Sequence, residues 1–121
     1  MEKNDGLDIH KYVDETFKNG VLKFVILNAM CRKNVYPYEL YKRLKKVNFG
    51  ILKDINKSEI YNTFNSLENK GLVKSSSHLS CSKVQKEYRI TSDGLKVAAR
   101  SRKVMAKNVG NIKKLIAYEF G

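Results

Sequence analysis

Asn56-Lys57-Ser58-Glu59-Ile60-Tyr61-Asn62-Thr63-Phe64-Asn65-Ser66-Leu67-Glu68-Asn69-Lys70-Gly71-Leu72-Val73, closing on Lys86-Glu87-Tyr88-Arg89-Ile90-Thr91, is the stretch that decides the fold. Ile60, Phe64 and Leu67 recur at i, i+4 and i+7, the spacing that gathers apolar side chains on one helix face. The outward face is then Lys57, Tyr61, Asn62, Asn65 and Glu68. Ser58 is placed to begin this helix, its hydroxyl accepting from a free N–H of the first turn, with Glu59 at the positive end of the helix dipole. Gly71 stands where a left-handed residue closes a helix, and Leu72-Val73 opens a strand. Val84, Tyr88 and Ile90 share one parity while Gln85, Glu87 and Arg89 share the other, as in a half-buried return strand. Ser75 to Lys83 between them is too polar to pack and is expected to project as a loop.

Working outward, Leu7 to Asn19 places Ile9, Val13 and Phe17 at four-residue spacing beside Tyr12, and Gly20 reads as a helix stop. Val21 to Arg32 is apolar nearly all round and predicts a central buried helix, with Cys31 in the core. Pro37, the only proline, fits the first turn of a third helix, 37 to 47, because its missing N–H needs no partner there. That helix buries Tyr38 or Tyr41, Leu40 and Leu44 and exposes Lys42, Arg43, Lys45 and Lys46. Thr91 or Ser92 caps a last helix over 92–119. Leu95, Ala98, Arg102, Met105, Val109, Ile112 and Ile116 run along it in alternating three- and four-residue steps, closer to a coiled-coil seam than to a core stripe, so the reading is dimerisation. Asn108-Val109-Gly110-Asn111 is the point where this helix is expected to kink or end.

With 121 residues and 42% apolar composition the chain predicts one domain, 1–121. Its net charge is +12, which favours a polyanionic partner. Residues 1–20 hold five acids against three lysines and carry −2, leaving +14 for residues 21–121. The partner therefore meets the body of the protein. The start lacks a secretory signal and the longest apolar run is too short for a bilayer span, so the expectation is a cytoplasmic protein with no membrane role.

A polar-capped helix followed by a cationic hairpin, in a chain so basic, is the pattern of a winged helix-turn-helix: mainly α with a small β-hairpin, an added N-terminal helix (7–19), a core over 21–91 with its wing at about 72–90, and a long C-terminal dimerisation helix. The recognition helix is placed at about 58–70. Asparagine can bond adenine edges bidentately, lysine reaches phosphate or guanine, and a tyrosine hydroxyl bonds phosphate. The residues assigned to DNA are Lys57, Ser58, Tyr61, Asn62 and Asn65 on the helix and Lys74, Lys83, Lys86 and Arg89 on the wing, 74–89. The residues assigned to dimerisation are Leu95, Ala98, Met105, Val109, Ile112 and Ile116. No Gly-rich phosphate loop, Gly-x-Ser-x-Gly elbow or His-Glu-x-x-His appears, so no enzyme is expected. His78 and Cys81 offer one His-x-x-Cys pair, short of the four ligands of structural zinc, so neither metal nor cofactor is expected. Cys81, near His78 and Lys83, is the candidate redox thiol.

These residues resemble the PadR-like transcriptional regulators. Tyr36-Pro37-Tyr38-Glu39-Leu40 and Tyr41-Lys42-Arg43-Leu44 are similar to the family's Pro/Tyr-Gly-Tyr-Glu-Leu element. Ile60-Tyr61-Asn62-Thr63-Phe64, Ser66-Leu67-Glu68 and Gly71-Leu72-Val73 resemble its Leu-Tyr-Pro-Ala-Leu, Arg-Leu-Glu and Gly-Leu-Ile. Lys86-Glu87-Tyr88-Arg89-Ile90-Thr91 resembles its Lys-Tyr-Tyr-Arg-Leu-Thr, and Gly94 stands in its Thr-x-x-Gly. Asn62 replaces the family's proline, Ser66 its arginine, and Ser82-Lys83-Val84 its Gly-Arg-Pro. The resemblance implies a homodimeric repressor on an inverted repeat of double-stranded DNA, sometimes with a small aromatic effector in the dimer interface. MarR-like redox- or ligand-sensing regulators share the wing. The alternative from another class is a winged-helix module that grips RNA or an acidic protein surface.

Overall fold

The computed structural model describes residues 8–46, 54–80 and 83–120. In chain order they form α1 (Ile9–Met30), α2 (Pro37–Lys46), α3 (Lys57–Asn69), β1 (Val73–Ser80), β2 (Lys83–Ile90) and α4 (Ser92–Phe120). β1 and β2 pair antiparallel from Val73 opposite Ile90 to Ser80 opposite Lys83. Val35, between α1 and α2, adds a short third edge by exchanging both backbone hydrogen bonds with Tyr88, at 2.9 and 2.8 Å. Four helices with this hairpin make the expected winged helix-turn-helix.

The core gathers one face from each element. Leu22, Ile26 and Met30 of α1, Leu40 and Leu44 of α2, and Ile60, Phe64 and Leu67 of α3 are buried, together with Val35, Ile55, Val73, Tyr88 and Ala98. The ring of Phe64 lies 4.6 Å from that of Tyr88, centroid to centroid, joining α3 to the return strand. Burial disfavours the phenolate of Tyr88 and raises its pKa.

The first helix runs unbroken through Gly20 where two helices were expected. A glycine inside a helix costs only about 1 kcal/mol, and the burial of Leu22, Ile26 and Leu27 beyond it outweighs that cost. The inward placement expected of Ile9, Tyr12, Val13 and Phe17 lies outside the described side chains. In the same way α4 continues through Gly110 to Phe120, rather than ending at 108–111.

The cap of α3 is Asn56 and not Ser58. Asn56 Oδ1 accepts from Glu59 N–H at 2.9 Å, and Asn56 N–H donates to Glu59 Oε1 at 3.0 Å, a reciprocal capping box. At the other end Gly71 has φ 76°, Leu72 N–H donates to Leu67 C=O and Gly71 N–H to Glu68 C=O. This is the Schellman closure that the glycine implied. The helix therefore ends on two satisfied carbonyls and turns straight into β1.

The interval expected to be a loop is largely strand. β1 continues to Ser80 and β2 starts at Lys83, because antiparallel pairing satisfies the backbone whatever the polarity of the side chains. The outer half of this hairpin leaves the core behind: Leu79 and its cross-strand partner Val84 are 75% and 71% exposed. Residues 81 and 82 lie outside the described residues.

Thr91 joins three elements. Its N–H donates to Leu72 C=O, its hydroxyl donates to Gly71 C=O at 2.7 Å and accepts from Gly94 N–H at 3.1 Å, and its carbonyl accepts from Leu95 N–H. Thr91 is thus the N-cap of α4, tied to the end of α3. Gly94 sits so close to this junction that a Cβ there would lie 2.1 Å from Leu72 O.

Candidate nucleic-acid interface

α3 presents its polar face to solvent because its apolar face is fully used. Ile60 and Phe64 are completely buried, whereas Lys57, Ser58, Tyr61, Asn62 and Asn65 are exposed, Tyr61 by 42%. Glu68, expected on the same outward face, is partly buried. Its carboxylate accepts from Ser75 Oγ at 2.8 Å and from Ser75 N–H at 3.0 Å. Those hydrogen bonds, with help from Lys86 and Lys74, hold the carboxyl below the usual range against the opposing effect of burial. Glu68 is consequently a latch that sets the angle between α3 and the hairpin.

The hairpin cations divide between its two faces. Lys74 and Arg89 are direct cross-strand partners and lie on the same face as Lys83, while Lys86 falls on the other face with Tyr88. All four are exposed. Two like charges placed directly opposite oppose pairing, a repulsion that an anion between them relieves. On the Lys74 face, His78 Nε2 approaches Glu87 at 3.0 Å and Ser76 Oγ at 3.2 Å.

A group from α2 completes the surface, and no periodicity marked it. Tyr38 and Tyr41 stack with centroids 6.1 Å apart. Lys57 Nζ lies 5.1 Å from the ring of Tyr38 and 5.9 Å from that of Tyr41, while Lys42 Nζ lies 5.0 Å from Tyr38. A cation over an aromatic face is attracted by the ring and loses freedom there. Of the two tyrosines Tyr41 is the one packed against the core, and Tyr38 stays exposed. Tyr36, Tyr38, Tyr61 and Lys86 line a crevice of about 580 Å³ between α2, α3 and β2. The lining converges from 50 residues of sequence, and a Tyr-Pro-Tyr run opening a helix is the only linear hint of it.

The C-terminal helix divides its apolar residues. Ala98, expected in the seam between protomers, is fully buried in the protomer's own core, and Arg102 Nη1 donates to Asn28 Oδ1 of α1. Leu95 and Met105 remain exposed, by 47% and 41%, and so do Val97 and Val104, which the spacing did not select. With Phe24 and Leu72 the last three border an apolar groove of about 350 Å³. Val109, Ile112 and Ile116 lie outside the described side chains. Cys31, expected in the core, is an exposed free thiol whose Sγ donates to Leu27 C=O. Among the described residues no three His, Cys, Asp or Glu side chains gather as for a metal ion, and no helix is long and apolar enough to cross a membrane.

The model of the transcriptional regulator PadR-like family matches residues 26–100, from near the C-terminal end of α1 through the hairpin into α4. The chain belongs to that family. Among solved structures, a PadR-family transcriptional regulator from Eggerthella lenta is 26% identical, with 94% of this chain and 96% of that one covered and a TM-score of 0.75. A PadR-like transcriptional regulator from Bacillus cereus is 24% identical over 84% of this chain and 96% of that one, with a TM-score of 0.68. Bacillus subtilis PadR, solved in complex with operator DNA, is 22% identical, covers 66% of this chain and 45% of its own, and has a TM-score of 0.59. No curated protein sequence matches the chain. In this PadR-like regulator the family match covers the capping box of α3, the Glu68 latch and the Thr91 junction.

Proposed function

We propose that this PadR-like regulator is a homodimer that binds an inverted repeat of double-stranded DNA and represses transcription, α3 entering the major groove and the hairpin lying along the backbone. The observation that carries the reading is the solvent-facing set Lys57, Tyr61, Asn62 and Asn65 on a helix whose other face is fully buried, with a cationic hairpin latched beside it through Glu68 and Ser75. Tyr61, Asn62 and Asn65 are assigned to base edges; Ser58, Lys57 and the hairpin cations Lys74, Lys83, Lys86 and Arg89 suit phosphates. The operator complex of Bacillus subtilis PadR supports duplex DNA as the partner. Two copies joined through α4, with Leu95 and Met105 in the contact, would present two such helices. Half-sites about 34 Å apart, one turn of B-form duplex, are then required. Selection from a random duplex library tests this, since recovered sites report palindromy and spacing together. Recovery of no common sequence, or a preference for structured RNA over duplex, would overturn the reading.

A further inference from the structure

A second cationic surface lies away from α3 and the hairpin. Arg32 and Lys33 of the turn after α1, Arg43 of α2 and Arg102 of α4 converge on an open cleft of about 700 Å³, bordered also by Asn28 and Cys31. The four cations come from three separate segments, so helix periodicity does not account for their meeting. None forms an ion pair with a carboxylate of the described residues, and Glu39, one turn from Arg43, is engaged 3.4 Å from Lys42. Like charges gathered in a concavity raise the local positive potential and concentrate anions there.

One of the four is positioned. Asn28 Nδ2 donates to Phe24 C=O at 2.8 Å, which turns Asn28 Oδ1 toward α4, where it accepts from Arg102 Nη1. The same Nη1 lies 3.8 Å from Cys31 Sγ. Arg102 is thereby held at the cleft by one nitrogen. A guanidinium fixed in this way keeps donors for a carboxylate or phosphate at little further entropic cost.

We propose that this cleft binds a small polyvalent anion, a phosphate or carboxylate compound with two or more negative charges. Occupancy ties α4 to α1 and α2, because the ligand bridges Arg102 to Arg43 and to Arg32 and Lys33. Duplex DNA is the less suitable occupant, since no residue of α3 or the hairpin borders the cleft.

The test uses the full chain, with inorganic pyrophosphate and citrate as probes at ionic strength held constant with sodium chloride. A ligand that binds only the folded state raises the unfolding midpoint, and the rise continues with the logarithm of its concentration once that exceeds Kd. Such a rise is expected with at least one probe; which of the two acts tells phosphate from carboxylate. Arg43→Gln and Arg102→Gln should each weaken the apparent affinity about tenfold, the loss of one charge-assisted contact. Lys96→Gln, an exposed cation of α4 outside the cleft, should leave it unchanged. No rise with either probe beyond that in sodium chloride of equal ionic strength, or equal loss in Lys96→Gln, overturns the proposal. So does a result in which the cleft variants weaken duplex binding and leave probe binding intact, which would make the cleft a DNA contact. Duplex affinity of the unsubstituted protein is measured separately, so this proposal and the DNA-binding reading can fail independently.

Discussion

Replacing Gly94 by alanine should damage the junction that holds α4 to the winged core. The new Cβ would lie 2.1 Å from Leu72 O and 2.6 Å from Ile90 Cγ1, where real contacts of this kind stay beyond 3.0 Å. The isoleucine can rotate away; the carbonyl cannot, because it accepts from Thr91 N–H at 3.0 Å. Relief therefore requires the first turn of α4 to move by about 1 Å, with overpacking costs of about 1–3 kcal/mol. The movement also weakens the Thr91 cap and the Thr91–Leu72 hydrogen bond, each worth about 1 kcal/mol. Alanine returns at most about 1 kcal/mol through helix propensity. The net expectation is a loss of about 2–3 kcal/mol, a large share of the roughly 5–15 kcal/mol that holds such a domain. Gly20→Ala is the internal control: it lies in a helix, nothing stands within 4 Å of its Cβ, and it should stabilise by about 0.5–1 kcal/mol. Urea and thermal unfolding followed by circular dichroism, at matched protein concentration because self-association raises apparent stability, give both numbers. A Gly94→Ala protein as stable as the parent would refute the close-approach argument.

Further outcomes follow from the same contacts. Asn62→Ala should lower discrimination between a selected site and a mismatched one by about 1–3 kcal/mol, whereas Lys83→Ala should weaken all duplexes alike and reduce the salt slope of binding by about 1; titrations at several salt concentrations separate the two. Glu68→Gln should destabilise at neutral pH, with the difference from the parent shrinking in acid. A carboxyl lowered in the folded state contributes fully above its unfolded value and loses that contribution as pH falls through the folded one. Unfolding curves from pH 7 to pH 3 check it, and a gap that widens in acid would count against the latch. Asn56→Ala should cost about 1 kcal/mol through the capping box, read by urea unfolding, and Ser58→Ala should cost much less. Met105→Glu should shift the chain toward a monomer in analytical ultracentrifugation; an unchanged dimer would remove Met105 from the contact.

The parts of the fold legible in sequence were those where one physical requirement dominates. The spacing of Ile60, Phe64 and Leu67 admits one buried face for α3, and Gly71 after Lys70 permits one way of closing the helix. Two local signals misled, one because packing overrides it and one because a stronger local signal lies beside it. Gly20 looks like a stop, yet its neighbours Leu22 and Ile26 gain more by continuing the helix than the glycine loses. Ser58 looks like a cap, but Asn56 with Glu59 three residues on satisfies both donors at once, and that Asn-x-x-Glu spacing was readable. Ala98 shows why a long apolar stripe is ambiguous: a helix packing its own domain on one side and exposing apolar residues on another displays both sets at three- and four-residue steps. At the candidate site the exposed face of α3 could be read directly except at Glu68, which the hairpin turns inward through Ser75. The Tyr38, Tyr41 and Lys57 cluster could not, because it joins residues of two helices through space.

The proposed function of this regulator rests on two copies presenting α3 to one duplex. Sedimentation of the protein with a library-selected duplex at fixed salt measures that directly. A dimer on an inverted repeat places two chains on each duplex, an arrangement lost when the two half-sites are moved apart by half a helical turn, about 5 base pairs. One chain per duplex, with affinity indifferent to that spacing, would contradict it.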